Sequence, residues 1–247
     1  MNGGTFQLDI ISHVWRYSRL ATYQLSSLYL HPPERVRVNV VVFYTADDPE
    51  TCETLDWFGR LPWPRSVTLT TWQLERPQLF RRAIGRNLAC RASRADLVFM
   101  TDADYLFGPG CLDAIPEQFA TVTGPLAYPR ITRRSISHEL GDAAIERVTA
   151  PGIYPIPPDT DFEAERNRRA IGGLQLYRGD VARERGYLDG HRKWQTPEPD
   201  AWKRTREDCV FRGWVGAANG RGEGIDLPNL YRIRHSRRGR YDIGVKL

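Results

Sequence analysis

Two aspartates separated by one residue form the most informative short motif of the chain. Asp102 and Asp104 stand in "FMTDADYLF", directly after a run of apolar residues. If the strand continues through them, both side chains face the same side, because residues two apart on a strand share a face. A hard divalent ion such as Mg²⁺ or Mn²⁺ is the natural partner of two such carboxylates. An Asp-rich turn after a buried strand is the alternative, and the motif alone does not exclude it.

A second acidic pair and a histidine follow in the last third of the chain. Glu207 and Asp208 stand in "REDCVFR", and His235 stands in "LYRIRHSRRGR". Carboxylate and imidazole side chains are both able to carry chemistry in a site. The alternatives are a solvated charge pattern with Arg206 and Arg212, and a surface histidine in a basic strand.

Paired glycines and paired arginines complete the candidate chemistry. Gly172 and Gly173 in "AIGGLQLYRGD" permit close approach of the backbone to a ligand, although a plain turn explains them equally. Arg82 and Arg86 are one helical turn apart in "RAIGRN", so they face the same way and suit phosphate groups. A basic face exposed to solvent is the alternative for these two arginines.

The elements that must position these residues alternate between strand and helix in the first half. The predicted strands are Phe6–Val14, Arg35–Thr45, Ser66–Trp72 and Ala95–Asp104. Three helices are predicted. The first has Ser18 as its N-cap, and the second is capped by Asp48, begins at Pro49 and ends at Gly59. The third covers Pro77–Ser93, and its residues Leu79, Ala83, Leu88 and Ala92 lie near one face. This order predicts a doubly wound α/β fold with a mostly parallel sheet, helices on both faces, and a ligand crevice at the carboxyl ends of the strands.

The second half has a different pattern. Its predicted parts are a proline-rich loop at Pro151–Asp161, a strand after the two glycines, a helix within Pro197–Gly216 and a closing strand that carries His235. We expect this half to pack over the crevice and not to form an independent domain.

Composition narrows the class of protein. The 247 residues suit one large domain, and the net charge of +5 favours an anionic partner such as nucleotide phosphates, nucleic acid or an acidic glycan. The four cysteines show no CxxC pair, so neither a zinc site nor a disulfide framework is indicated, and we expect a reduced, cytoplasmic setting. No stretch approaches the roughly 20 apolar residues of a membrane span, and we expect a soluble protein.

The order of these motifs resembles that of the GT-A class of glycosyltransferases, which use nucleotide-sugar donors. The closest resemblance is to the β-1,4-galactosyltransferase family. It rests on Asp102-Ala103-Asp104, Gly172-Gly173, Trp194, Glu207-Asp208 and the string Ile233-Arg234-His235-Ser236-Arg237, and "RAIGRN" resembles the family's nucleotide-contacting helix. The resemblance spans most of the chain.

This resemblance implies a single GT-A domain over residues 1–247, with a nucleotide-sugar half (1–108) and an acceptor-binding, catalytic half (109–247). It implies that Asp104 binds a metal ion directly and that Asp102 contacts the ion or the donor ribose. His235 would add a nitrogen ligand, which favours Mn²⁺ over Mg²⁺.

The resemblance also implies roles in the transfer of a sugar from a UDP-sugar to an acceptor hydroxyl. Asp208 would be the general base of an inverting reaction, and Glu207 would orient hydroxyl groups. The residues expected around the donor are Thr45, Asp47, Arg82, Arg86, Asp102, Gly172 and Gly173, and those expected around the acceptor are Trp194, Trp202 and Tyr154. The acceptor itself stays open among a glycan, a small molecule and nucleic acid.

The sequence departs from the galactosyltransferase pattern at two places. Arg232 stands where the galactosyltransferases carry a methionine metal ligand, and their long acidic run is reduced to Arg206-Glu207-Asp208.

Several other functions compete with an inverting transferase. A retaining transferase is a close variant. A nucleic-acid-binding protein that uses the arginine-rich surface, and a transferase that glycosylates a modified base in DNA, are further alternatives. A nucleotidyltransferase ranks lower, because no glycine-rich phosphate loop follows the first strand.

Overall fold

The structure, a computed structural model, describes residues 5–197 and 206–236. Its strands are β1 (Phe6–His13), β2 (Val36–Tyr44), β3 (Val67–Gln73), β4 (Leu97–Thr101), β5 (Tyr105–Phe107), β6 (Leu126–Pro129), β7 (Ile131–Ser135), β8 (Phe162–Arg166), β9 (Leu174–Arg178), β10 (Glu223–Ile225) and β11 (Leu230–Arg232). Its α-helices are α1 (Ser18–Leu30), α2 (Pro49–Gly59), α3 (Arg76–Phe80), α4 (Arg82–Ala92), α5 (Ile115–Phe119), α6 (His138–Glu146), α7 (Gly179–Arg185), α8 (Arg192–Gln195) and α9 (Glu207–Trp214).

The central sheet has seven strands in the order β10-β6-β9-β4-β1-β2-β3. The strands β4, β1, β2 and β3 are parallel neighbours, as the alternation of strand and helix predicts. β9 enters from the second half of the chain, runs antiparallel to both β4 and β6, and thereby joins the two halves in one sheet. The predicted α/β fold with a mostly parallel central sheet is confirmed.

Helices cover both faces of this sheet, and the alternation of side chains along β1 shows why. Ile10 belongs to the apolar core that includes Leu20 of α1, whereas the next residue, Ile11, belongs to the core that includes Ala83 of α4. Successive strand residues point to opposite faces, so the consecutive apolar pair Ile10 and Ile11 fills one core on each side of the sheet.

A second sheet has four strands in the order β5-β11-β7-β8. Its first strand in sequence, β5, begins at Tyr105, directly after Asp104. β11 pairs antiparallel with β5, with Arg232 opposite Tyr105, and parallel with β7. The small sheet therefore brings the C-terminal part of the described chain back to the end of β4.

Several predicted boundaries are wrong. The helix expected over Pro77–Ser93 is two helices, because Arg81 leaves helical geometry with φ −94° and ψ 79°. Ser18 is the first residue of α1, not its cap, and its hydroxyl donates to Glu50 at 3.2 Å. Asp48 caps α2 as predicted, since its side chain accepts from the Thr51 amide.

The segments that carry the candidate chemistry also differ from expectation. β4 ends at Thr101, and the next residues form a turn in which the Tyr105 amide donates to the Asp102 carbonyl at 3.2 Å. Asp102 and Asp104 are therefore not on an extended strand. β11 ends at Arg232, so His235 lies beyond the strand predicted to hold it. α9 begins at Glu207, and residues 198–205 lie outside the described part.

Two expectations from composition can be compared with the structure. Cys52, Cys90, Cys111 and Cys209 are all free thiols. Among the described residues, none of the helices has both the length and the apolarity to cross a membrane.

Candidate functional site

The turn after β4 is held by the buried side-chain amide of one residue on α1. Gln24 donates through Nε2 to the Asp102 carbonyl at 2.9 Å and to the Tyr105 carbonyl at 3.1 Å. Its Oε1 accepts from the Ser12 hydroxyl at 2.8 Å, so the amide is satisfied on both sides. Gln24 thus ties the acidic turn to the end of β1. Nothing in the local sequence pattern singles this residue out.

Asp102 pairs with the first residue of α4. Nη1 of Arg82 lies 2.7 Å from Oδ1 of Asp102, and both side chains are partly exposed at the carboxyl edge of the sheet. The structure therefore brings together two residues that the sequence places at the donor.

Asp104 pairs with a different arginine. Nε of Arg232 lies 2.9 Å from Oδ2 of Asp104, and the guanidinium stacks over the Tyr105 ring at 5.3 Å. The negative charge of Asp104 is the main reason that the pKa of Arg232 lies above its ordinary value. The two aspartates are consequently each neutralised by an arginine.

Arg86 is the most deeply buried cation of the site. Its Nη1 donates to the Tyr187 hydroxyl at 3.0 Å and to Oε1 of Glu207 at 3.2 Å, and its Nη2 donates to the Gly172 carbonyl at 2.5 Å. Burial lowers the pKa of Arg86, but its partners raise it by more, so the pKa lies above the ordinary value. The guanidinium stays charged and joins three distant segments.

A second buried arginine, Arg212, also joins the turn before β9 to a carboxylate at the start of α9. Nη1 of Arg212 donates to the Ala170 carbonyl at 2.6 Å and to Oδ2 of Asp208 at 3.2 Å. Its Nε donates to the Gly220 carbonyl at 2.9 Å. Buried arginines thus link the turn before β9 to both carboxylates at the start of α9.

Only a glycine fits at position 173 without movement of its neighbours. A Cβ there would lie 2.8 Å from the Tyr105 ring and 2.9 Å from Oδ2 of Asp102. At Gly172 the same atom would make only an ordinary contact with Arg82. The two glycines therefore differ: Gly173 lets the chain pass close to Asp102, whereas Gly172 supplies the carbonyl that Arg86 binds.

His235 lies near the end of β1 and is positioned by α6. Its ring packs edge-on against Tyr17 with 5.4 Å between centroids. The residues on either side of it are bound to α6, since Arg234 donates to Nε2 of His138 at 2.9 Å and the Ser236 amide donates to Asp142 at 3.0 Å. The histidine is thus held at the same edge of the sheet as the acidic turn.

The carboxylates at this edge of the sheet are suitable ligands for a divalent cation, but an arginine competes for one of them. Oδ1 of Asp104 is buried and has no hydrogen-bond partner among the described residues, which suits an atom awaiting a cation. Within residues 5–197 and 206–236, no three His, Cys, Asp or Glu side chains are grouped as metal ligands. Arg232 already occupies the other oxygen of Asp104 and would compete with the ion.

The residues expected around base and ribose lie after β2. Thr45 is buried, and the carboxylate of Asp47 pairs with Arg76 at 2.7 Å. Neighbouring Asp48 accepts from the Arg16 amide at 2.5 Å and so fixes the chain after β1. A role for Thr45 and Asp47 in nucleotide binding stays a prediction.

The aromatic residues expected at the acceptor have different surroundings. Trp194 is only 4% exposed, and the Arg81 guanidinium covers its ring at 5.4 Å. Tyr154 packs against Tyr23 of α1 with 6.0 Å between ring centroids. Trp202 lies outside the described residues. Contact of these side chains with an acceptor stays a prediction.

One buried histidine next to the site is not apparent from the sequence. His13, the last residue of β1, stacks on Phe43 with 4.8 Å between centroids, and a Cβ on Gly85 of α4 would collide with its Nε2. Burial is the main reason that its pKa lies well below 6.5, and the charges of Arg86 and Arg82 add to the shift. His13 is therefore neutral at physiological pH.

Comparisons with known proteins give the fold but no relative in sequence. No protein-family model matches the chain, and no curated protein matches it. TarS of S. aureus (residues 1–349, in complex with UDP-GlcNAc) superposes with a TM-score of 0.57 at 12% sequence identity, over 97% of this chain and 62% of that one. The mannosyltransferase PcManGT from Pyrobaculum calidifontis, in complex with GDP-Man and Mn²⁺, superposes with a TM-score of 0.55 at 15% identity, over 93% of this chain and 57% of that one.

The chain spans about three fifths of the length of these solved structures. Their likeness to it extends over nearly all of its residues and includes the mixed seven-stranded sheet. The chain therefore has the GT-A fold of nucleotide-sugar glycosyltransferases.

Proposed function

We propose that this protein is an inverting glycosyltransferase that moves a sugar from a nucleotide-sugar donor, preferentially a UDP-sugar, to an acceptor hydroxyl. The observation that carries the proposal is the buried Arg86, which joins the Gly172 carbonyl to Glu207 beside the Arg82–Asp102 pair. This cluster lies at the carboxyl ends of parallel strands, where α/β folds place their ligands. One solved structure of the same fold holds UDP-GlcNAc and another holds GDP-Man, so the base must be tested.

In this proposal the donor diphosphate lies near the turn after β4. The side chains of Arg82 and Arg232 lie there, each paired with an aspartate. Their positive charge would act on the diphosphate once Asp102 and Asp104 hold a cation, and positive charge stabilises the negative charge that develops on a departing diphosphate. Gly173 lets the chain pass close to Tyr105 and Asp102, and this close packing would position the Asp102 carboxylate toward the donor.

The metal site is part of the same proposal. Asp102 and Asp104 would hold Mn²⁺ or Mg²⁺, with His235 as the nitrogen ligand from the C-terminal segment. When bound, the ion would act as a Lewis acid on the diphosphate. Arg232 pairs with Asp104 and would compete with the ion for that carboxylate, so we expect this pair to lower the affinity for the metal.

Asp208 is the proposed general base. The acceptor oxygen attacks the anomeric carbon, its proton passes to the Asp208 carboxylate, and the bond from that carbon to the diphosphate oxygen breaks with its electron pair. Attack from the side opposite the leaving group inverts the anomeric centre. Arg212 orients Asp208 through its bond to Oδ2.

Glu207 is proposed to position groups and not to accept the proton. Its side chain is almost completely buried and is bonded to Arg86, whereas Asp208 is more accessible. The resemblance of the motif order to that of the β-1,4-galactosyltransferase family is the reason for proposing this division of roles. The identity of the donor sugar does not follow from it.

Donor binding tests this proposal directly. A panel of UDP-glucose, UDP-galactose, UDP-GlcNAc and GDP-mannose would be scanned by thermal shift, with and without Mn²⁺. A true donor raises the midpoint of unfolding, because ligand that binds only the folded state stabilises it by mass action. The proposal fails if no member of the panel shifts the midpoint at millimolar concentration with metal present.

Nucleic acid is the partner in the second candidate function. It is favoured by the excess of arginine and the net charge of +5. A pure nucleic-acid-binding protein would bind duplex DNA with a steep salt dependence and without any nucleotide sugar. A transferase acting on a modified base in DNA would instead show donor turnover that requires DNA.

A further inference from the structure

A groove lined by arginines opens beside the Gly172–Gly173 turn. Its cavity volume is about 480 Å³, and its lining residues are Arg166, Asn167, Arg168, Arg169, Ile171 and Arg221. Among the residues that the structure describes, no acidic side chain lines it. Four positive charges in one small concave surface repel each other, and this arrangement favours an anion.

These charges are not neutralised within the described part of the chain. The side chains of Arg166, Arg168, Arg169 and Arg221 are exposed, and no ion pair to a carboxylate is found for them among residues 5–197 and 206–236. The nearest acidic residues in sequence, Glu163 and Glu165, pair with Arg134 instead. Arginines held for structural reasons usually meet a carboxylate or a carbonyl, and these do not.

The walls of the groove are held in place by hydrogen bonds. The Ala170 amide donates to the Arg221 carbonyl at 2.8 Å, which joins the two sides. Nδ2 of Asn167 donates to the Pro129 carbonyl at 2.9 Å and to the Thr132 hydroxyl at 2.8 Å. The backbone that carries the arginines is therefore ordered before any ligand arrives.

The groove is connected to the proposed base. Arg212 binds the carbonyls of Ala170 and Gly220, the residues that precede the groove's Ile171 and Arg221, and it also binds Asp208. A ligand seated in the groove would thus lie against the segment that positions the residue taking the acceptor proton.

We propose that this groove binds a phosphate group of the acceptor, so that the acceptor is a phosphorylated saccharide. The proposal rests on the glycosyltransferase function given above. Arginine recognises phosphate through two parallel N–H donors, and several arginines together can neutralise a dianion. A groove of about 480 Å³ is of a size that encloses one small ligand.

The test compares two variants with equal loss of charge. The groove variant is Arg168→Gln/Arg169→Gln/Arg221→Gln. The control variant is Arg37→Gln/Arg65→Gln/Arg94→Gln, three exposed arginines near the starts of β2, β3 and β4, at the opposite edge of the sheet. Binding of ribose 5-phosphate, ribose and a short oligothymidylate would be measured by calorimetry at low salt.

We expect ribose 5-phosphate to bind and ribose not to bind. The groove variant should lose about tenfold or more in affinity for the phosphate, since three ion pairs are lost, while the control variant changes little. Equal weakening in both variants, or equal binding of ribose and its phosphate, would overturn the proposal. If the groove bound oligothymidylate but not ribose 5-phosphate, the proposal of a phosphorylated saccharide would be wrong. The phosphate would then belong to a nucleic-acid strand.

Donor binding on the same variants separates this inference from the proposed function. If the groove variant binds nucleotide sugar normally but ribose 5-phosphate binds no better than ribose, only the groove assignment fails. If phosphate binds in the groove but no nucleotide sugar binds to any variant, the glycosyltransferase function fails.

Discussion

Arg86 and Glu207 form an ion pair inside the protein, with Nη1 of the arginine 3.2 Å from Oε1 of the glutamate. Their side chains are 1% and 6% exposed, although 121 positions separate them in sequence. The same guanidinium binds the Gly172 carbonyl. One buried cation therefore determines how the nucleotide-side helix α4, the turn before β9 and the start of α9 lie against each other.

The buried pair predicts a large stability difference between two glutamates. Glu207→Ala leaves the Arg86 charge without its carboxylate in a dry site, and we expect the free energy of unfolding to fall by about 3 kcal/mol. Glu163→Ala removes a carboxylate from the partly exposed pair with Arg134 and should cost less than about 1 kcal/mol. Denaturation by urea measures the free energy of unfolding of both variants. Equal losses would show that the buried Arg86–Glu207 pair stabilises the fold no more than the exposed pair does.

The close packing at position 173 predicts that one added methyl group is harmful there and harmless elsewhere. Gly173→Ala forces the Tyr105 ring or Asp102 to move, so we expect loss of stability and weaker donor binding. Gly59→Ala is the control, because a Cβ on Gly59 has no neighbour within 4 Å. Thermal unfolding and donor titration would be compared, and a wild-type result for Gly173→Ala would contradict the geometry.

The Arg232–Asp104 pair predicts that removing the arginine strengthens metal binding. Arg232→Leu leaves the buried Asp104 carboxylate without a counterion and adds no metal ligand, so we expect the affinity for Mn²⁺ without donor to rise by about tenfold or more. Arg134→Leu is the matched control, since Arg134 lies opposite Arg232 on β7 and pairs with other acids. Calorimetric titration with Mn²⁺ measures this. Unchanged affinity in the Arg232 variant would speak against Asp104 as a ligand.

The buried His13 predicts how stability depends on pH. The unfolded chain takes up a proton near pH 6.5, whereas the folded chain resists it, so stability is lost as the pH falls below 6.5. This one group contributes at most about 1.4 kcal/mol per pH unit. His13→Asn should flatten the curve below pH 6.5 more than His31→Asn does, because His31 is less enclosed. Unfolding by denaturant at a series of pH values tests this, and identical curves for wild type and His13→Asn would refute it.

The parallel part of the sheet could be predicted because its signals are local. β2 is a run of branched apolar residues, and Asp48 followed by Pro49 marks the start of α2 within two residues. Both features depend on neighbours in sequence. Hydrophobic periodicity and capping are sufficient for such elements.

The inside of the site could not be predicted in the same way. The pattern of α4 indicated a buried face that includes Leu88, yet Leu88 is 43% exposed and Arg86 is buried. The guanidinium is tolerated inside because its two terminal nitrogens donate to Tyr187, Glu207 and Gly172, and those partners are remote in sequence. Asp102 and Asp104 were expected to share one cation, but the turn after β4 directs them to two different arginines.

Asp208 is the proposed base of a nucleotide-sugar transferase, and release of UDP from a UDP-sugar donor measures this role. Turnover would be measured for wild type, Asp208→Asn and Asp56→Asn, the last removing an exposed carboxylate on α2. We predict that Asp208→Asn binds the donor normally but turns over about a hundredfold more slowly or worse, whereas Asp56→Asn behaves as wild type. Equal turnover by Asp208→Asn and wild type, or failure of every nucleotide sugar to bind, would contradict the account.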